Sequence, residues 1–173
     1  MSASESATNP WAAPAGTSAD GHYADVNGVR LYYELHGAGR PLVLLHGGLG
    51  AGSMFGPNVA ALAKGRQVVL VDLQGHGRTA DVDRPLTLEA MADDISALIA
   101  YLKLGEVDVM GYSLGGGVAL HTAVRHPDQV RKLILVSAAI RSDSYYPDIR
   151  AQQKLLSGAA AAQRKGTPMF ALY

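Results

Sequence analysis

Cysteine is absent from the 173 residues. That excludes a disulfide framework, a thiolate zinc site, an iron–sulfur cluster and a cysteine nucleophile. A surplus of charge is lacking too: 15 basic residues face 15 acidic ones. A nucleic-acid binder or a basic membrane-surface protein carries a positive footprint, and there is none here. No apolar run approaches the ~20 residues that a bilayer-spanning helix needs. The first twenty residues lack both the early positive charge and the apolar core of a signal peptide, and no arginine precedes Arg30. A cytoplasmic location is therefore expected. What remains is ordinary globular composition, 48% hydrophobic and 17% charged, at a length suited to one modest domain.

Residues 1–20 are rich in Ala, Ser, Thr and Pro without hydrophobic period, and read as a disordered tail. From Gly21 the pattern changes. Tyr23–Val26 and Val29–Leu35 flank Asn27-Gly28, a strong hairpin signal because both central residues of a type I′ turn need positive φ. Gly37, Gly39 and Pro41 then mark a loop. Leu42–Leu45, Val68–Val71, Val107–Met110 and Leu133–Val136 are continuous apolar runs, the pattern of parallel strands covered on both faces. Between them lie helical patterns. One starts at an N-cap, Thr87, and places Leu88, Met91, Ala92, Ile95, Leu98, Ile99 and Leu102 on one stripe, with Gly105 ending it. A second runs from Leu114 to Arg125 and stops at His126-Pro127, and a weaker one covers about 56–63. Asp148 to Gln163 also reads as helix. The fold class is α/β: a mostly parallel sheet with an N-terminal antiparallel hairpin, flanked by helices.

Three motifs sit where these strands end. Gly111-Tyr112-Ser113-Leu114-Gly115-Gly116 lies between a strand and a helix. The string G-x-S-x-G alone arises by chance in roughly one chain in twenty of this size. Its position is more specific, because a nucleophile elbow needs that strand–turn–helix context. There a serine hydroxyl projects from a strained turn at a helix N-terminus, which favours developing negative charge. The plainer reading is a glycine-rich turn with a bystander serine. His46-Gly47-Gly48-Leu49-Gly50 follows a strand and can offer free backbone N–H groups to an anion. A dinucleotide loop is excluded because the third glycine of G-x-G-x-x-G would fall at Ser53. Asp72-Leu73-Gln74-Gly75-His76-Gly77-Arg78 follows another strand, and His76 reads there as a packed loop histidine.

Together, in this order, the motifs resemble the α/β-hydrolase fold superfamily over Gly21 to about Ala139. The resemblance implies Ser113 as nucleophile, with the backbone N–H groups of Leu114 and Gly48 forming an oxyanion hole. It implies no metal and no organic cofactor. Serine at position 113 looks more like esterases, lactonases, carbon–carbon bond hydrolases and cofactor-free perhydrolases than like dehalogenases or epoxide hydrolases.

The same resemblance exposes a gap. The superfamily supplies its triad in the order Ser, Asp or Glu, His, and only 60 residues follow Ser113. Of the six histidines, His121 and His126 alone come after it. His126 lies at the far end of the outgoing helix, roughly 18 Å away at 1.5 Å per residue. The triad histidine is thus absent. Some members place the acid after the sixth strand, and Asp143, just past Leu133–Val136, is a candidate there, with a solvated aspartate as its plainer reading. The expectation is the first six strands of an eight-stranded hydrolase over 21–139, followed over 140–173 by the start of a helical cap that includes Tyr145, Tyr146 and Pro147. The expected partner is a small ester-like molecule, with no nucleic acid and no membrane. Leu49, Met54 and Phe55 are candidates to line an acyl pocket, or else core. The expected activity is acyl hydrolysis by a longer parent, with this chain catalytically incomplete. The alternative is a non-catalytic binding or interaction module. An apolar last strand, flanked but not interrupted by Arg131 and Lys132, is expected to promote self-association through the sheet edge.

Overall fold

A computed structural model describes residues 21–140. The expected tail, Asp143, the cap tyrosines and the 148–163 helix lie outside the described residues. Six strands form one sheet in the order β1-β2-β4-β3-β5-β6. β1 (His22–Val26) and β2 (Val29–His36) are joined by Asn27 and Gly28 at φ 47° and 78°, so the hairpin turn is as expected. β2 also runs antiparallel to β4 (Arg66–Asp72). β3 (Arg40–Leu45), β4, β5 (Val107–Tyr112) and β6 (Val130–Val136) are mutually parallel.

Helices cover the sheet unequally. α2 (Leu88–Tyr101) and α3 (Leu114–Arg125) pack on one face, over a core that includes Val43, Leu45, Val69, Val71, Ile95, Leu98, Val109 and Val118. A 3₁₀ turn (Gly52–Phe55) and the short α1 (Pro57–Leu62) pack on the other, over Leu42, Leu44, Val68 and Leu70. Successive residues of β3 and β4 therefore feed opposite cores, which is why these strands read as unbroken apolar runs.

Several expectations are corrected. Pro41 is a buried residue of β3, not of a loop. β5 pairs with β3 only from Leu42 onward, so a residue without an N–H is tolerated one position earlier. β6 begins at Val130 and is not covered on both faces: Leu133 and Leu135 meet the larger core while Ile134 is 37% exposed. The stop of α2 is not Gly105 but Lys103, at φ 53°. Lys103 N–H donates to Ala100 O and Leu104 N–H to Ile99 O, the paired bonds of a Schellman ending. The Thr87 cap is as expected, its hydroxyl accepting from Ala90 N–H at 3.1 Å.

The connections create the crevice that matters. From β3 the chain crosses one face through α1 to β4, and from β4 it crosses the other face through α2 to β5 on the far side of β3. Loops leaving β3 and β5 thus part in opposite directions, the point at which open α/β sheets bind ligands.

Candidate active site

Register places the two glycine motifs side by side. Leu45 of β3 is level with Gly111 of β5, so His46-Gly47-Gly48 and Ser113 leave adjacent parallel strands at the same height. The turn at Ser113 is tight: φ 51° and ψ −112°, a conformation costing about 1–3 kcal/mol for a residue with a Cβ. It is held from every side. Ser113 N–H donates to Val136 O at 2.9 Å, Gly116 N–H to Ser113 O at 3.0 Å, and Gly115 N–H across to His46 O at 3.0 Å.

The glycines here are steric necessities. A Cβ on Gly111 would lie 2.0 Å from Gly115 O, and one on Gly115 would lie 2.4 Å from Leu45 O. A Cβ on Gly116 would lie 2.3 Å from that of Ala138. β5, α3 and β3 meet at backbone distance because these positions carry no side chain. Ser113 itself is exposed.

The loop after β3 lies over this turn. The position of a Cβ on Gly47 is 3.5 Å from Ser113 Cβ, and that on Gly48 is 3.7 Å from Leu114 Cβ. Among the described residues no acceptor is bonded to Gly48 N–H or Leu114 N–H. Leu49 holds φ 60° and is half exposed. Phe55 packs against the smaller core, in keeping with its core reading, whereas Leu49 and Met54 are each about half exposed.

Sequence reasoning missed what fixes this loop. His46 is fully buried; its Nδ1 is 2.7 Å from Gly47 O and its Nε2 is 3.0 Å from Leu73 N. The amide can only donate, so Nε2 accepts and Nδ1 carries the proton. Burial is the main cause pushing the imidazole pKa down, with the Gly47 carbonyl pulling the other way. His46 is thus a neutral strut between the loops after β3 and β4. Buried Asp72 is a second strut: Oδ1 accepts from Gly52 N–H at 2.6 Å and Oδ2 from Arg78 N–H at 2.9 Å. The only sequence signal for either was a polar residue ending an apolar run.

A buried polar network holds the rest of that loop. Asp94, buried on the apolar face of α2, pairs with Arg84 and accepts from Asn27 Nδ2 at 2.8 Å. Arg84 Nε in turn donates to Gln74 Oε1 at 2.7 Å. The hairpin turn, α2 and the loop carrying His76 are thereby tied together.

All six histidines lie among the described residues, and none is bonded to Ser113. His121 faces Glu89 at 3.7 Å and His126 meets Asp93 at 2.8 Å, both against α2. His36 bonds Glu34, and the His22 ring packs at a tilt against Tyr33. His76 is a packed loop histidine, with Nδ1 2.8 Å from Gln74 O. Among the described residues, no three His, Asp or Glu side chains are grouped to hold a metal ion, and no helix is long and apolar enough to cross a membrane.

A strained serine at a β5–α3 turn, facing a glycine loop from the neighbouring strand, is the architecture of a known class. The chain belongs to the α/β hydrolase fold family, whose model matches residues 40–157. A protein of Rhizobium rhizogenes, provisionally named carbamate hydrolase RutD, is 38% identical over 81% of this chain and 56% of its own length. An esterase from Exiguobacterium antarcticum is 34% identical with a TM-score of 0.67, over 73% of this chain and 50% of that one. The epoxide hydrolase CorEH is 31% identical with a TM-score of 0.70, over 77% and 48%. The chain spans about half the length of the relatives it matches.

Proposed function

We propose that this chain carries the nucleophile and oxyanion half of a serine hydrolase acting on an ester or related acyl bond. The observation that carries the reading is the exposed, strained Ser113 set beside two backbone N–H groups that have no partner among the described residues. A base takes the hydroxyl proton as Oγ attacks the acyl carbon, and a tetrahedral oxyanion forms. The N–H groups of Leu114 and Gly48 donate to that oxyanion, helped by the positive end of α3. Collapse expels the leaving group, and water then releases the acid and frees Ser113. The relative named a carbamate hydrolase extends the substrate class to carbamate carbonyls, which pass through the same tetrahedral geometry.

Among the described residues no histidine is bonded to Ser113 and each has other partners, so this reading takes the base from outside the described residues. That observation favours a second reading, a binding module of hydrolase ancestry without turnover. The experiment separates the two by supplying the base. A fluorophosphonate probe is added to the chain with imidazole, and the adduct is mapped by mass spectrometry. Labelling at Ser113, lost in Ser113→Ala, supports the hydrolase reading. No labelling, or equal labelling of the variant, supports the module. Without imidazole, p-nitrophenyl acetate is hydrolysed no faster than by Ser113→Ala. Saturable turnover abolished by that substitution would show that a base does reach the serine.

A further inference from the structure

The thioether of Met54 occupies an unusual place. It lies on the 3₁₀ turn just beyond the glycine loop, and its sulfur accepts from Gly47 N–H at 3.4 Å. A Cβ on Gly50 would lie 3.1 Å from the same sulfur, so glycine leaves the room in which the thioether sits. The loop's other internal bonds are few: Gly50 N–H to Gly47 O at 3.3 Å, and His46 Nδ1 to Gly47 O. Sulfur is a weak acceptor, so the contact to Gly47 is the weakest of the three. Yet Met54 is 48% exposed, while Met91 is 3% exposed and Met110 is half-buried in the sheet. Of the described methionines, Met54 is the one most open to solvent and so to a water-borne oxidant.

We propose that Met54 is a peroxide-responsive modification site that closes the glycine loop from within. The sulfur attacks one oxygen of hydrogen peroxide; an S–O bond forms and the O–O bond breaks. Sulfur loses two electrons, and the departing hydroxide takes the proton of the transferred oxygen and leaves as water. The sulfoxide oxygen is a strong, fixed acceptor where the thioether was a weak one. It binds Gly47 N–H firmly and presents the same lone pairs to the adjacent Gly48 N–H, which has no partner among the described residues. An anion or oxyanion then loses that donor. The oxidation site and its grip on the loop stand independently of the hydrolase reading; only the consequence for an oxyanion rests on it.

The experiment treats the whole chain with hydrogen peroxide and follows it by peptide mass spectrometry, in parallel with amide hydrogen exchange. Met54 gains one oxygen on the order of ten-fold faster than Met91. Exchange at Gly47 and Gly48 then slows relative to the untreated protein. Met54→Leu, which conserves volume, loses the slowing. Methionine sulfoxide reductases restore the original exchange. Oxidation of Met54 no faster than of Met91 overturns the proposal. So does exchange at Gly47 and Gly48 that is unchanged or faster once Met54 is fully oxidised, or the same slowing in Met54→Leu. Failure of Ser113 to react with a fluorophosphonate leaves each of these readouts in place, so the two readings fail separately.

Discussion

Replacing Gly111 by alanine tests the elbow as a matter of space. The added Cβ would lie 2.0 Å from Gly115 O, 2.3 Å from Gly115 C and 2.5 Å from Gly116 N. All three atoms are backbone, and none can rotate away. Relief requires β5 and the first turn of α3 to part by roughly 1 Å, at the expense of their close contacts. Inserting one methyl into a well-packed site costs about 1–3 kcal/mol. A clash with main chain on one rigid side belongs at the upper end. Alanine recovers about 0.5–1 kcal/mol through a stiffer unfolded chain, which leaves a net loss of about 2 kcal/mol. For a domain of this size that is a fall in Tm of roughly 10 °C. The control is Gly117→Ala, one turn into α3. The nearest atoms its Cβ would meet are the Leu88 methyls, at 3.2 Å, and these sit on a flexible side chain. The gain in helix propensity, about 1 kcal/mol, offsets that contact. Urea unfolding of both variants decides the matter. If Gly111→Ala is as stable as Gly117→Ala, then β5 and α3 do not meet at backbone distance and the elbow geometry is wrong.

His46 is expected to make the protein acid-sensitive. Its pKa is lowered in the folded state, so its contribution to stability is present above the unfolded histidine value near ~6.5 and is lost as pH falls through the lower folded value. The urea midpoint should therefore drop more between pH 7.5 and 5.5 in the unaltered chain than in His46→Gln; equal drops would place the acid sensitivity elsewhere. Asp94→Ala removes the charge partner of the Arg84 guanidinium and the acceptor of the Asn27 amide, and should cost about 3 kcal/mol in urea unfolding; a loss under 1 kcal/mol would mean the network is solvated. β6 is an edge of the described sheet with Ile134 exposed. Concentration-dependent self-association in size-exclusion chromatography, weakened by Ile134→Lys, is expected. A concentration-independent monomer would remove that edge as the sticky surface.

The sequence alone determined where the main strands and helices lie, and it marked the residues on which a chemistry can be proposed. Asn27-Gly28, Thr87 and His126-Pro127 act through local backbone geometry, so their turn, cap and stop are legible without a fold. The four apolar runs announced strands, and Gly111-x-Ser113-x-Gly115 announced a strained serine, because a tight strand-to-helix turn admits few residue types. Lys103 in place of Gly105 was not legible, since an αL lysine is tolerated only where the bonds of the helix ending are already made. The one-sided exposure of β6 was not legible either, because an edge strand with apolar residues on both faces has the same composition as a central one.

Tertiary structure alone decided what stands next to what. That β3 lies between β4 and β5, bringing Gly48 beside Leu114, depends on crossovers over opposite faces of the sheet. No spacing in the sequence encodes that order. The roles of His46, Asp72 and Asp94 were hidden for a related reason. Each is a polar residue in an apolar stretch, and such a residue is stable only when partners 20 to 67 positions away complete its hydrogen bonds. Local sequence carries the need for a partner, and only the folded chain supplies it.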